Sequence, residues 1–124
     1  MKLHADALTS LNTVTAYGPG FVEVNQVRHS GNLILTPDQP VESWSAESFD
    51  ALRVEDFELI LALRPEIVLV GTGSRQRFPH PRLTRPLLDA HVGVEAMDTR
   101  AACRTYNILM GEGRRVVAVF LQET

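Results

Sequence analysis

A single cysteine and a single lysine stand in these 124 residues. With Cys103 alone, neither an internal disulfide nor a zinc framework of paired cysteines can form, and a reducing, cytoplasmic setting is expected. With Lys2 alone, the chain cannot carry a P-loop, which needs a lysine behind its glycines. No run approaches 18 consecutive apolar residues, so no membrane-spanning helix is expected. The opening "MKLHADALTS" lacks the apolar stretch of a signal peptide. The four histidines, His4, His29, His80 and His91, show no ligand spacing, and no metal site or cofactor is expected from them. Internal repeats and low-complexity tracts are also missing.

What is present fits one globular domain over residues 1–124. Apolar residues make up 44% and charged residues 22%, an ordinary balance for a folded domain. A chain of this length buries roughly two-thirds of its unfolded surface, enough for a core without covalent staples. Charge is unevenly placed. Residues 1–70 hold four Lys/Arg against ten Asp/Glu, a net of −6, whereas residues 71–115 hold eight arginines against four acids, a net of +4. That layout opposes broad nucleic-acid binding, which requires a domain-wide basic surface. It fits a local anion site, a charged partner surface, or arginine-rich helix faces standing in water.

The first third reads as a β-meander. "VTAY" (Val14–Tyr17) runs into the Gly18-Pro19-Gly20 turn. "FVEV" (Phe21–Val24) and "VRH" (Val27–His29) flank Asn25-Gln26, the length of a tight hairpin, although Gln26 stands where glycine is expected. "NLIL" (Asn32–Leu35) is a further strand, and "VESW" (Val41–Trp44) a short edge strand after Pro40. The remainder alternates. Val54–Leu63 has helical periodicity, with Val54, Phe57, Ile60 and Leu61 on one face and Pro65 ending it. Ile67–Val70 is apolar throughout, as in a strand covered on both faces. Pro81 and Pro86 argue against one unbroken helix over 79–91, so a turn is expected near Pro79–Leu83, then a short helix capped by Thr84. Val92–Met97 is a strand. Asp98 caps a helix from Thr99 to about Met110, closed by Gly111 and Gly113. Arg115–Leu121 is the last strand. The C-terminal part is therefore βαβαβ, and the class is α/β.

The stretch "IVLVGTGSRQRFPH" resembles a nucleotide-binding loop without being one. Gln76 occupies the place of the third glycine in a dinucleotide fingerprint, and Phe78-Pro79-His80-Pro81 postpones the helix. Gly71-Thr72-Gly73 still lies at the carboxyl end of a buried strand, where open α/β sheets place ligands. Its N–H groups could form an anion-binding nest, with Arg75 and Arg77 adding contacts. The plainer alternative is that the glycines only turn the chain. In the helix after Asp98, Ala102, Cys103, Tyr106, Leu109 and Met110 form an apolar stripe, which makes Cys103 a core residue rather than a reactive thiol. Arg100, Arg104 and Asn107 form the polar stripe opposite, either solvated or lining a groove beside the loop.

The segments "VGTGSRQRFPHP", "GVEAMDTRAACRTYNIL" and "EGRRVVAVFL" resemble the Mth-domain family, as does the Tyr17-Gly18-Pro19 turn. Gln26 departs from the family's usual glycine. The resemblance covers roughly Leu11–Leu121. It implies a three-layer fold whose central mixed sheet has one strand antiparallel to the rest. It carries no established enzymatic activity, and it marks Gly71, Thr72, Gly73, Thr99, Tyr106 and Asn107 as motif positions. Eukaryotic members include a mitochondrial assembly factor for respiratory complex I.

No nucleophile–base pair or acid–base pair is legible. The expected function is a non-catalytic binding or assembly factor contacting a protein complex. The alternative is a binder or enzyme for a small anionic metabolite. The candidate site is Gly71, Thr72, Gly73, Arg75, Arg77, Thr99, Arg100, Arg104 and Asn107.

Overall fold

The structure, a computed structural model, describes residues 11–122. The readings of "MKLHADALTS", Lys2 and His4 lie outside the described residues. Two sheets are present among these residues. The first is a meander of β1 (Val14–Gly18), β2 (Phe21–Val24) and β3 (Val27–Ser30), antiparallel throughout. The second has five strands in the order β5-β4-β8-β6-β7. Its members are β4 (Leu33–Leu35), β5 (Glu42–Ser43), β6 (Ile67–Gly71), β7 (Gly93–Met97) and β8 (Val116–Phe120). β6 pairs in parallel with both β7 and β8, while β4 runs antiparallel to β8 and to β5. β4 is thus the one strand of this sheet opposed to the others.

Alternation along the central strands divides the core in two. Leu69 of β6 and Val116, Ala118 and Phe120 of β8 pack with Ala102, Cys103, Tyr106 and Met110 of α3 (Thr99–Gly111) and with Val22 and Val24 of β2. Val68, Val70, Val117 and Val119 face the other way. There they meet Phe57, Ile60 and Leu87, from α1 (Val54–Glu58), the 3-10 segment Leu59–Leu63 and α2 (Pro81–Asp89). A strand covered on both faces must be apolar at every position, which explains "IVLV" and "VVAVF". The three layers are α1 and α2, the central sheet, and α3 with the small sheet.

Two local expectations need correction, and the hairpin at Asn25-Gln26 holds. The Val54–Leu63 helix is split: α-helical hydrogen bonding ends at Glu58 and a 3-10 segment follows. Arg64, at φ 53°, ends it in left-handed conformation ahead of Pro65, whose ring disfavours a helical residue before it. α2 begins at Pro81 rather than at Thr84, because Nδ1 of His80 caps it by accepting the Arg82 N–H at 3.1 Å. Pro81 then sits at the first helical position, where no N–H is needed, and the helix runs on through Pro86. Gln26 does take up the tight turn, with φ 52° at Asn25 and 71° at Gln26. The Asn25 amide supports that turn by accepting from the Thr13 N–H and donating to Asn12 Oδ1, each at 2.9 Å.

Candidate functional site

The β6–α2 loop starts at the carboxyl end of the central strand, and its two glycines do different things. Gly71 is a packing residue. A Cβ there would stand 2.8 Å from Phe120 Cδ1 and 3.4 Å from the Ala102 methyl, so its absence lets β6 approach α3 closely. Gly73 is conformational, with φ +90°, a region side chains other than glycine rarely enter. Its carbonyl accepts the Thr99 N–H at 2.9 Å, tying the loop to the first turn of α3.

Thr72 holds the loop from inside. It is fully buried. Its N–H donates to the Met97 carbonyl at 2.9 Å and its hydroxyl to the Arg75 carbonyl at 2.7 Å. The same hydroxyl accepts the Arg77 N–H at 3.2 Å. Farther out, the Gln76 side chain donates to the Ala96 carbonyl at 2.9 Å. The Arg77 guanidinium lies 4.3 Å from the centre of the Phe49 ring and 3.4 Å from the Thr72 carbonyl. Ser74 and Arg75 are exposed, and Phe78 is 74% exposed.

α3 begins as expected. The Asp98 carboxylate accepts the Ala101 N–H at 2.8 Å, and the Asp98 carbonyl accepts that of Ala102 at 2.9 Å. With the Thr99 N–H bound to Gly73, three of the four first-turn donors are engaged. A cavity of about 570 Å³ opens beside this turn. Its lining comes from the loop and first turn of α3 (Gly73, Ser74, Asp98, Thr99 and Arg100), from the β1–β2 turn from Tyr17 to Gly20, and from Gln122.

The expected site residues are thus brought together only in part. Gly73, Thr99 and Arg100 line this cavity. Gly71 and Thr72 are buried beneath the loop, and Arg75 stands exposed on it. Arg104 is exposed beyond the cavity's lining. Asn107 clasps β1: its Oδ1 accepts the Val14 N–H and its Nδ2 donates to the Val14 carbonyl, both at 2.9 Å. Tyr106, the preceding residue, holds the chain just ahead of β1, its hydroxyl donating to the Asn12 carbonyl at 2.8 Å. Tyr17, Ser74 and Gln122 escaped the sequence reading as cavity residues. The Tyr17-Gly18-Pro19 turn was visible as a motif, but nothing local ties it to α3.

Cys103 is 1% exposed. Burial pushes its thiol up to about 12, against a weaker opposing pull from Arg104. It is therefore a neutral core side chain at physiological pH, not a nucleophile. No helix among the described residues is long and apolar enough to cross a membrane.

Residues 14–121 match the model of the family described as "Protein of unknown function (DUF498/DUF598)". The chain is 41% identical over 97 residues to the bovine protein "NADH dehydrogenase [ubiquinone] 1 alpha subcomplex assembly factor 3", covering 77% of itself and 52% of that relative. It spans about half the length of that protein. It is 31% identical over 106 residues to the "13 kDa major membrane protein" of Francisella tularensis, covering 85% of itself and 86% of the relative. Among solved structures it is similar to a Bordetella pertussis protein described as a Mth938-like domain. That likeness has 44% identity and a TM-score of 0.77, and covers 94% of this chain and 87% of the other.

Proposed function

The chain belongs to the DUF498/DUF598 family, and from that premise we propose that it is a non-catalytic accessory or assembly factor that docks on a protein partner through the loop after β6. One observation carries this reading: the loop is pinned internally by Thr72 while presenting Arg75 and a 74% exposed Phe78 outward. Arginine and aromatic side chains dominate the energetics of protein interfaces, and a loop already rigid loses little freedom on binding. Arg82, exposed on the adjoining α2, extends the positive charge, so the partner surface is acidic around an apolar pocket. The complex I assembly factors among the relatives support an assembly role of this kind.

The cytosol is the compartment we assign, on the single cysteine held reduced in the core. The membrane protein named among the relatives fits peripheral attachment through such a docked partner.

The test is quantitative capture from native extract. Wild type retains a defined set of partners, and the Arg75→Ala/Phe78→Ala variant loses them while keeping its melting temperature. The same partners at the same yield on both proteins would remove the proposed surface.

A further inference from the structure

A second cavity, of about 550 Å³, opens at the other end of the central sheet, where β6 and β8 begin. Its volume is that of a small-molecule site. Pro37, Ala62 and Leu63 give it accessible apolar lining. Three arginines also line it: Arg64 from the end of the 3-10 segment, and Arg114 and Arg115 from the turn between α3 and β8. All three are exposed, so their charged ends are within reach of a ligand.

Two of these arginines are tied down by their surroundings. Arg115 Nε donates to the Arg64 carbonyl at 2.9 Å, and the Arg115 N–H donates to Glu66 Oε1 at 2.8 Å. Arg114 Nε lies 3.4 Å from the same Glu66 oxygen. Among the described residues, the Arg64 guanidinium meets no carboxylate. Arg64 also stands at φ 53°, in the left-handed position after a helix that glycine fills without strain. A side chain kept there costs stability, and backbone strain of this kind clusters at functional positions. Against the three guanidinium groups stand the carboxylates of Asp38, on the lining, and of Glu66. That leaves an excess of one positive charge.

We propose that this cavity binds a small organic acid with an apolar tail. Its carboxylate takes hydrogen bonds from the Arg64 and Arg115 guanidinium groups, and its tail lies against Pro37, Ala62 and Leu63. Guanidinium matches carboxylate in planar, two-pronged pairs, and a single negative charge balances the excess. The Arg75–Phe78 surface follows the opposite end of β6, so either reading can fail without the other.

The experiment is a titration of the full ¹⁵N-labelled chain followed by amide NMR shifts. The probes are hexanoate, acetate, hexanol and inorganic phosphate. Hexanoate should give saturable shifts at the Gly113, Arg114 and Arg115 amides in the millimolar range or tighter. Acetate, without the apolar tail, should bind at least about tenfold more weakly, and hexanol and phosphate should leave those amides in place. Arg64→Gly should weaken hexanoate binding roughly tenfold, the loss of hydrogen bonding to a charged group. Its melting temperature should hold or rise, because glycine takes the left-handed conformation freely. Arg85→Gln, an equal loss of charge outside the cavity, should keep the wild-type affinity. The spectrum reports folding directly, so should Arg64→Gly not fold, Arg115→Gln carries the test with the same expected loss. Hexanol binding as well as hexanoate, a preference for phosphate, no saturable shift with hexanoate, or full affinity in the folded Arg64→Gly chain overturns the proposal. Partner capture by Arg64→Gly stays at the wild-type level if the docking loop acts alone, which separates this failure from failure of the docking reading.

Discussion

Single side chains decide the behaviour of the β6–α2 loop, and Gly71 shows how. Adding one methyl there drives it against the buried Phe120 ring and the Ala102 methyl. Gly71→Ala should therefore destabilise by about 1–3 kcal/mol, the usual cost of overpacking, read as a lower urea midpoint with an unchanged slope. Gln26 is the opposite case. Its left-handed φ of 71° strains any residue with a Cβ. Gln26→Gly should raise stability by about 0.5–1 kcal/mol, the left-handed cost of roughly 1–2 kcal/mol less the added unfolded-state entropy of glycine, measured in the same way; a loss would mean that Gln26 makes a compensating contact. Alkaline pH acts on two buried groups. Burial raises the Cys103 thiol to about 12 and raises the Tyr106 phenol too, the latter helped by Asp38. Because the unfolded forms ionise first, their contribution is complete below about pH 9 and is lost as pH climbs toward 12. The melting temperature should fall across that window, and Tyr106→Phe should flatten part of the fall.

Among the elements, α3 organises the molecule. It fills one face of the central sheet, and through Tyr106 and Asn107 it holds the backbone of Asn12 and Val14. The small sheet is anchored there by side-chain bonds as well as by packing. Asn107→Ala removes two hydrogen bonds at once and should cost about 1–3 kcal/mol. Hydrogen exchange should show the loss unevenly, with β1 and β2 amides exchanging faster while β6 and β8 keep their protection; uniform loss across both sheets would contradict the anchoring role. α3 was also the most legible element, since Asp98, the apolar stripe and the glycines that follow are all local signals. α2 was less so. Its cap is a histidine, outside the usual Ser/Thr/Asp/Asn set, which made Pro81 and Pro86 look prohibitive together. The 3-10 segment was hidden because a tightened turn keeps nearly the same apolar pattern as an α-helix.

At the scale of the molecule, the three-layer order was foreshadowed by the uniformly apolar β6 and β8, and the lone opposed strand by the family resemblance. The site was harder to read. Gly73, Thr99 and Arg100 could be paired because a ligand-binding loop and a helix start both leave sequence marks. Tyr17 and Gln122 reach the same cavity from distant parts of the chain, through a strand order that periodicity does not encode. Asn107 looked like part of a polar face because its partners are backbone atoms, which no side-chain pattern reveals. The acidic first half and the arginine-rich second half set the Arg75–Phe78 loop in a chain that is net −3, a layout that fits the proposed acidic partner and opposes binding to polyanions at large. The most direct measurement is hydrogen exchange of the free chain against the complex captured from native extract. The account predicts slowed exchange confined to the amides of residues 74–80 and the start of α2. Protection centred instead on the β5 edge or on the small sheet, with residues 74–80 unchanged, would contradict it.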